Sequence, residues 1–208
     1  MATAIHPAPT HCAPGDNLTG YLAGLVEKAK NTPSPLFSSI SYKTSFSDPL
    51  ALLESLHKPD SPHCYLEKST DEFSIACGEY LAQQEFQGAD RFQQAKSWSE
   101  SLLQSVERAG DAPLAGSGPT LFLTATFESE QANSGLPSLS VFLPRWQVVN
   151  HRGEHFIVLN TEIRPNSNPL KIQIDLDARL GSMIGLTYEK NNPADRITTP
   201  LEIGRAHV

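Results

Sequence analysis

The sequence predicts an α+β fold in which antiparallel strands are backed by helices. Three observations carry that expectation. Phe92, Ala95, Trp98, Leu102 and Val106 recur at helical spacing and predict a helix over 90–108. His63 to Lys68 (HCYLEK) and Glu72 to Gly78 (EFSIACG) read as two short strands joined at Ser69-Thr70-Asp71. Val141 to Val149 and Phe156 to Ile163 are β-rich, and Asn150-His151-Arg152-Gly153-Glu154 between them offers a glycine for the positive φ of a hairpin. With 208 residues the chain suits one domain or slightly more, and its 39% hydrophobic content can supply a core. A charged fraction of 19% is too low for a disordered polyelectrolyte.

The remaining elements follow in chain order. Residues 1 to 17 mix Pro, Ala, Thr and His and read as a flexible leader. Leu18, Leu22, Leu25, Val26 and Ala29 define a first helix that ends before Asn31-Thr32-Pro33. Ile40, Tyr42 and Phe46 alternate as a strand over 38–46. Asp48-Pro49 supplies a capping carboxylate and a proline at the first helical position, and Leu50, Leu53 and Leu56 line one face of the helix that follows. Lys58 to Pro62 stops it. Asp90 and Gln93 have the spacing of a capping box for the 90–108 helix, and Gly110 follows its end. Leu121 to Phe127, within TLFLTATFE, reads as a strand buried on both faces, and 128–140 as a loop. Pro144 points to an edge position for its strand. After Arg164-Pro165 the pattern weakens: Asn166-Ser167-Asn168-Pro169 is a turn, Lys171 to Leu176 alternates like a short strand, and Asn191-Asn192-Pro193 breaks again.

Composition narrows the function. Sixteen Lys+Arg against 23 Asp+Glu give a formal charge of −7, which argues against a nucleic-acid binder. No apolar run is long enough to span a membrane, and the N-terminus has no basic and apolar succession of a secretory signal. A cytoplasmic protein is expected. Cys12, Cys64 and Cys77 are odd in number and match no zinc spacing, so they read as reduced thiols.

Motifs for chemistry are sparse. There is no P-loop, dinucleotide fingerprint or nucleophile elbow. Gly116-Ser117-Gly118-Pro119 precedes a strand where a phosphate loop must follow one, so it reads as a turn. His151 and His155 flank the hairpin turn and could pair on a metal, but two ligands without a third make a poor site. Glu67, Lys68 and Glu79 stand near strand ends, where carboxylates can be acids or bases; with no partner at a recognisable spacing they read as surface ion pairs.

The order of segments is more informative. Tyr65-Leu66-Glu67-Lys68, Gly78-Glu79, Asp90-Arg91-Phe92 and Phe142-Leu143-Pro144-Arg145-Trp146 occur in succession. This series resembles the N-terminal half of isochorismate synthases, members of the chorismate-utilising enzyme family. FLPRWQV looks most like the cyanobacterial branch, which feeds phylloquinone synthesis. The resemblance covers 38–165 and departs at Phe122 to Glu128, where the family strand usually ends in Phe-Asp. Leu52-Leu53-Glu54-Ser55 spells the LLES of anthranilate synthase, but that motif lies in a strand there and in a helix here. The resemblance implies a truncated chorismate-utilising fold whose substrate is chorismate and whose full-length parent uses Mg²⁺, as a cytoplasmic monomer with no nucleic-acid or membrane partner. It implies menaquinone, phylloquinone or salicylate and siderophore precursors as the onward use. In that family a Lys base, a Glu acid and the magnesium carboxylates all lie in the second half of the chain, after a Lys-Val-Val-Leu-Ala-like segment. No such segment occurs here, and Lys190 has the wrong neighbours. No catalytic, cofactor-binding or metal residue is therefore assigned within these residues.

The expected organisation is a variable leader and first helix over 1–37, the family half-domain over 38–165 and an irregular linker over 166–201. Residues 202–208 (EIGRAHV) back-translate as GAG ATC GGA AGA GCA CAC GTC, the wording of a common sequencing adapter, and are expected to be an artefact. The alternatives are a non-catalytic binding or regulatory module of the same fold, or a related salicylate or anthranilate synthase.

Overall fold

The computed structural model describes residues 17–45, 47–110, 114–129 and 137–189, the last five by backbone alone. The leader, Cys12, His6, His11, Phe46, Lys190 and the terminal EIGRAHV fall outside the described residues. Within them the fold is mixed α+β, with seven strands in one sheet and four α-helices.

Helix α1 spans Leu18–Lys30 and buries the five residues its spacing predicts. The Asn17 side chain accepts a hydrogen bond from the Gly20 N–H at 2.9 Å, and Lys28 and Lys30 sit in the last turn, favourable to the helix dipole. Strand β1 is Leu36–Thr44. Helix α2, Pro49–Leu56, begins as expected, with the Asp48 carboxylate accepting from the N–H groups of Leu50 and Ala51. Its buried face is rotated from the expected one. Pro49, Leu52 and Leu53 face inward, and Leu50 is 44% exposed.

Strand β2, His63–Lys68, and strand β3, Phe73–Phe86, are joined by a 3-10 turn at Ser69–Asp71. β3 is far longer than the expected Glu72 to Gly78, because it runs the full length of its neighbour. Helix α3, Arg91–Gln104, is shorter than expected. The chain turns at Ser105, and Val106–Gly110 forms β4, parallel to β1, so Val106 belongs to the sheet. The expected capping box is not made, since Asp90 forms no side-chain cap bond. Arg91 is buried instead and donates to the carbonyls of Gly88, Thr126 and Phe127 at 3.3–3.4 Å. Phe92 consequently faces outward, 52% exposed, beneath the Arg91 guanidinium.

Strand β5 is only Phe122–Ala125 and is not buried on both faces: Leu123 is 52% exposed, and Phe127 beyond it is fully exposed. Strands β6, Leu139–His151, and β7, Glu154–Ile163, form the predicted hairpin. Its two turn residues, Arg152 and Gly153, have φ of 53° and 74°, the left-handed pair of a tight hairpin turn.

The sheet order is β2-β3-β6-β7-β1-β4, with β5 pairing β6 beyond the end of β7. Every pairing is antiparallel except β1 with β4. Pro144 is therefore central, contrary to the edge position expected. The proline is tolerated because it stands where β6 passes from β7 (Trp146 onward) to β5 (up to Phe142), opposite a register shift in β3 between Tyr80 and Ala82. Its carbonyl accepts the Asn160 side-chain N–H at 2.8 Å.

Successive strand residues face opposite sides. On one face Ile40, Ala76, Trp146 and Val148 pack under α1, α2 and helix α4, Pro169–Glu189. On the other, Phe37, Leu143 and Val141 pack under α3, while Ile75 and Val149 lie under the loop at Leu114. α4 replaces the strand expected at Lys171 to Leu176 and occupies 169–189 of the linker expected over 166–201, whose remainder from 190 lies outside the described residues. Ile172, Leu176, Leu180 and Met183, at helical spacing, are the residues it turns to the core.

Candidate functional site

Between α4, the end of α2 and strands β3, β6 and β7 lies an open cavity of about 590 Å³. Its floor depends on Gly78. A side chain there would collide with the Trp146 indole, its register partner on β6. The missing Cβ lets the indole lie flat against β3. The next residue, Glu79, has φ of 59°, a left-handed conformation unusual for a side-chain-bearing residue, just ahead of the β3 register shift. Its N–H donates to the Pro62 carbonyl at 3.0 Å.

Three cations reach the Glu79 carboxylate. Arg179 of α4 donates to both oxygens at 3.4 Å, Lys58 lies at 3.3 Å and Arg145 of β6 at 3.9 Å. Burial pushes the carboxyl up, but Arg179, followed by Lys58, outweighs it and holds the group below the ordinary glutamate value. Glu79 is thus an anion at neutral pH. Asp175 also lines the cavity, so three cations face two carboxylates with one positive charge in excess. The arrangement can hold an anion and ties α4 to the sheet.

The other residues singled out by sequence lie elsewhere. Lys68 pairs with Asp71 at 2.6 Å, a surface ion pair, whereas Glu67 accepts from hydroxyls, that of Tyr65 at 2.7 Å and that of Ser69. His151 Nδ1 lies 3.3 Å from the Ala115 carbonyl oxygen, and His155 Nδ1 lies 3.1 Å from that of Ser47. Gly116 to Pro119 caps the α3 side of the sheet, where the buried Gln147 amide donates to the carbonyls of Gly116 and Gly118 at 2.6 and 2.7 Å. Among the described residues no three His, Cys, Asp or Glu side chains come together as a metal site.

Two of the four resemblance motifs meet: Gly78-Glu79 on β3 lies beside Pro144-Arg145-Trp146 on β6 at the cavity floor. A family model described as a chorismate binding enzyme matches residues 24–204. The chain belongs to the chorismate-binding enzyme family. No curated protein matches the sequence. The family match spans 24–204, so it takes in the second half of α1 and all of α4. The family makes chorismate the small-molecule substrate of this type of enzyme. No helix among the described residues is long and apolar enough to cross a membrane.

Sequence reasoning missed Arg179 and Lys58 as partners of Glu79. Arg179 lies 100 residues away, on the helix mistaken for a linker. The signal that could have found it was the spacing of Ile172, Leu176, Leu180 and Met183.

Proposed function

We propose that this chain is the N-terminal portion of an isochorismate synthase of the cyanobacterial type, a cytoplasmic monomer converting chorismate to isochorismate for quinone synthesis. The single observation that supports the reading is the meeting of two of its motifs, Gly78-Glu79 and Pro144-Arg145-Trp146, at one cavity in a chain of the chorismate-binding family. The base, the acid and the Mg²⁺ carboxylates belong to the half of the parent that follows. This portion supplies the sheet, its helical cover and the Glu79 tie that fixes α4 against it. Sequencing clean genomic DNA past Leu201 tests the proposal. A downstream Lys-Val-Val-Leu-Ala-like segment in frame supports it; a stop codon directly after Leu201 sinks it.

A second reading draws on the excess positive charge in the cavity: a non-catalytic module that binds a carboxylate ligand such as chorismate. It predicts saturable chorismate binding by calorimetry, weakened in Arg145→Ala, without turnover. Heat no greater than dilution at millimolar chorismate eliminates it.

A further inference from the structure

The cysteines at 64 and 77 are 13 apart in sequence, yet the β2–β3 hairpin sets them directly opposite each other in antiparallel register. Directly opposed residues of an antiparallel pair have Cα atoms about 4.5 or 5.5 Å apart, both within the span a disulfide bridges. Both thiols are free, and each perturbs the ionisation of the other. Their exposures differ. β2 is the outer strand of the sheet and Cys64 is half-buried, whereas Cys77 is fully buried beside Gln147 of β6.

We propose that Cys64 and Cys77 form a reversible dithiol–disulfide site that takes a low-molecular-weight disulfide as its oxidant, with Cys64 as the attacking sulfur and Cys77 as the resolving one. The thiolate of Cys64 attacks one sulfur of the small disulfide and expels the other half as a thiolate. A mixed disulfide then stands on Cys64. Cys77 passes its proton to a departing thiolate and attacks the Cys64 sulfur. The second small thiol leaves. Two protein thiols are oxidised, and one small disulfide is reduced to two thiols. The environment suits these roles. The Cys77 thiol first, and the charge of the neighbouring His63 with it, bring the Cys64 thiol down to about 7 against the opposing effect of burial. Cys64 and its own burial push Cys77 up. An external oxidant reaches only the sulfur that is also the better nucleophile. The bond would fasten the outer strand to its neighbour one residue from Tyr65, which packs against the main core.

The experiment uses the whole chain carrying Cys12→Ser, so that the pair are its only thiols. The protein is incubated with oxidised glutathione, then mapped by intact mass and peptide analysis under non-reducing conditions. The expected result is loss of both free thiols together in a monomer, a linked peptide pair containing Cys64 and Cys77, and full recovery with dithiothreitol. With Cys77→Ser added, the reaction should stop at a glutathione adduct on Cys64. With Cys64→Ser added instead, Cys77 should stay unmodified. A stable glutathione adduct on Cys64 of the Cys12→Ser protein, with Cys77 still free, would overturn the proposal. So would disulfides found only between chains, or equal reaction of Cys77 when Cys64 is absent.

Discussion

A methyl group at Gly78 has nowhere to go, since an ideal Cβ lies 2.7 Å from Trp146 Cε2 and closer still to the ring edge. The indole is itself 2% exposed in the main core and cannot swing away freely. Gly78→Ala should therefore lower stability by about 1–3 kcal/mol through overpacking. A urea midpoint equal to that of the parent would show that the contact is slack. Tyr42 is a contrasting residue. Its ring packs against the core, but its buried hydroxyl has no hydrogen-bond partner among the described residues. Burial, and then Asp177 of α4, push the phenol up to about 12. A group raised in the folded state contributes stability below its unfolded value of about 10, and that contribution is lost as pH rises through the folded value. Tyr42→Phe should leave neutral-pH stability unchanged or raised, by up to about 1 kcal/mol, and flatten the fall in melting temperature between about pH 10 and 12. A steeper alkaline fall in the variant would contradict this account.

Elements whose apolar stripe matched their local period were legible; those positioned by distant partners were not. α1 shows all five of its buried residues in sequence, and the β6–β7 hairpin announces itself by Gly153. α4 was hidden because Ile172, Ile174 and Leu176 alternate as a strand would, yet Ile174 is 58% exposed and the real stripe runs 172, 176, 180, 183. β5 looked like a core strand, but it has one partner and faces outward. The candidate site inherits this partial legibility. Glu79 was visible as a carboxylate after a glycine, whereas its cations arrive from three other parts of the chain. Its loss should be felt on α4. Each exposed ion pair is worth only about 0.2–1 kcal/mol, so Glu79→Gln should loosen α4 without unfolding the sheet. Hydrogen exchange should quicken across 169–184 and stay unchanged in β6. Because the Glu79 pKa is depressed, this tie is present above the usual glutamate value of about 4.3 and is lost as pH falls through the lower folded value. Slow α4 exchange that persists in Glu79→Gln would mean that apolar packing alone holds the helix. On the opposite face, Trp98 packs half-buried against Phe86, Leu121 and Leu102. Trp98→Asp, which removes that packing and places a charge there, should destabilise by about 2–4 kcal/mol. Limited proteolysis that matches the parent would remove Trp98 from the core face.

At the scale of the whole molecule, one sheet carries three helices on one face and a single helix with a loop on the other. The membership of the chorismate-binding family rests on residues 24–204 together, across both faces. Glu79, one of two carboxylates lining the cavity, is clamped by cations. Under the proposed function these residues are a scaffold with a basic cavity, and proton transfer belongs to the part of the parent enzyme that follows. Incubating the purified chain with chorismate and Mg²⁺, and separating the products by chromatography, tests that claim most directly. No isochorismate above a no-protein blank is the predicted result, with activity appearing only when the following half is co-expressed. Clear turnover of chorismate by this chain alone would contradict it.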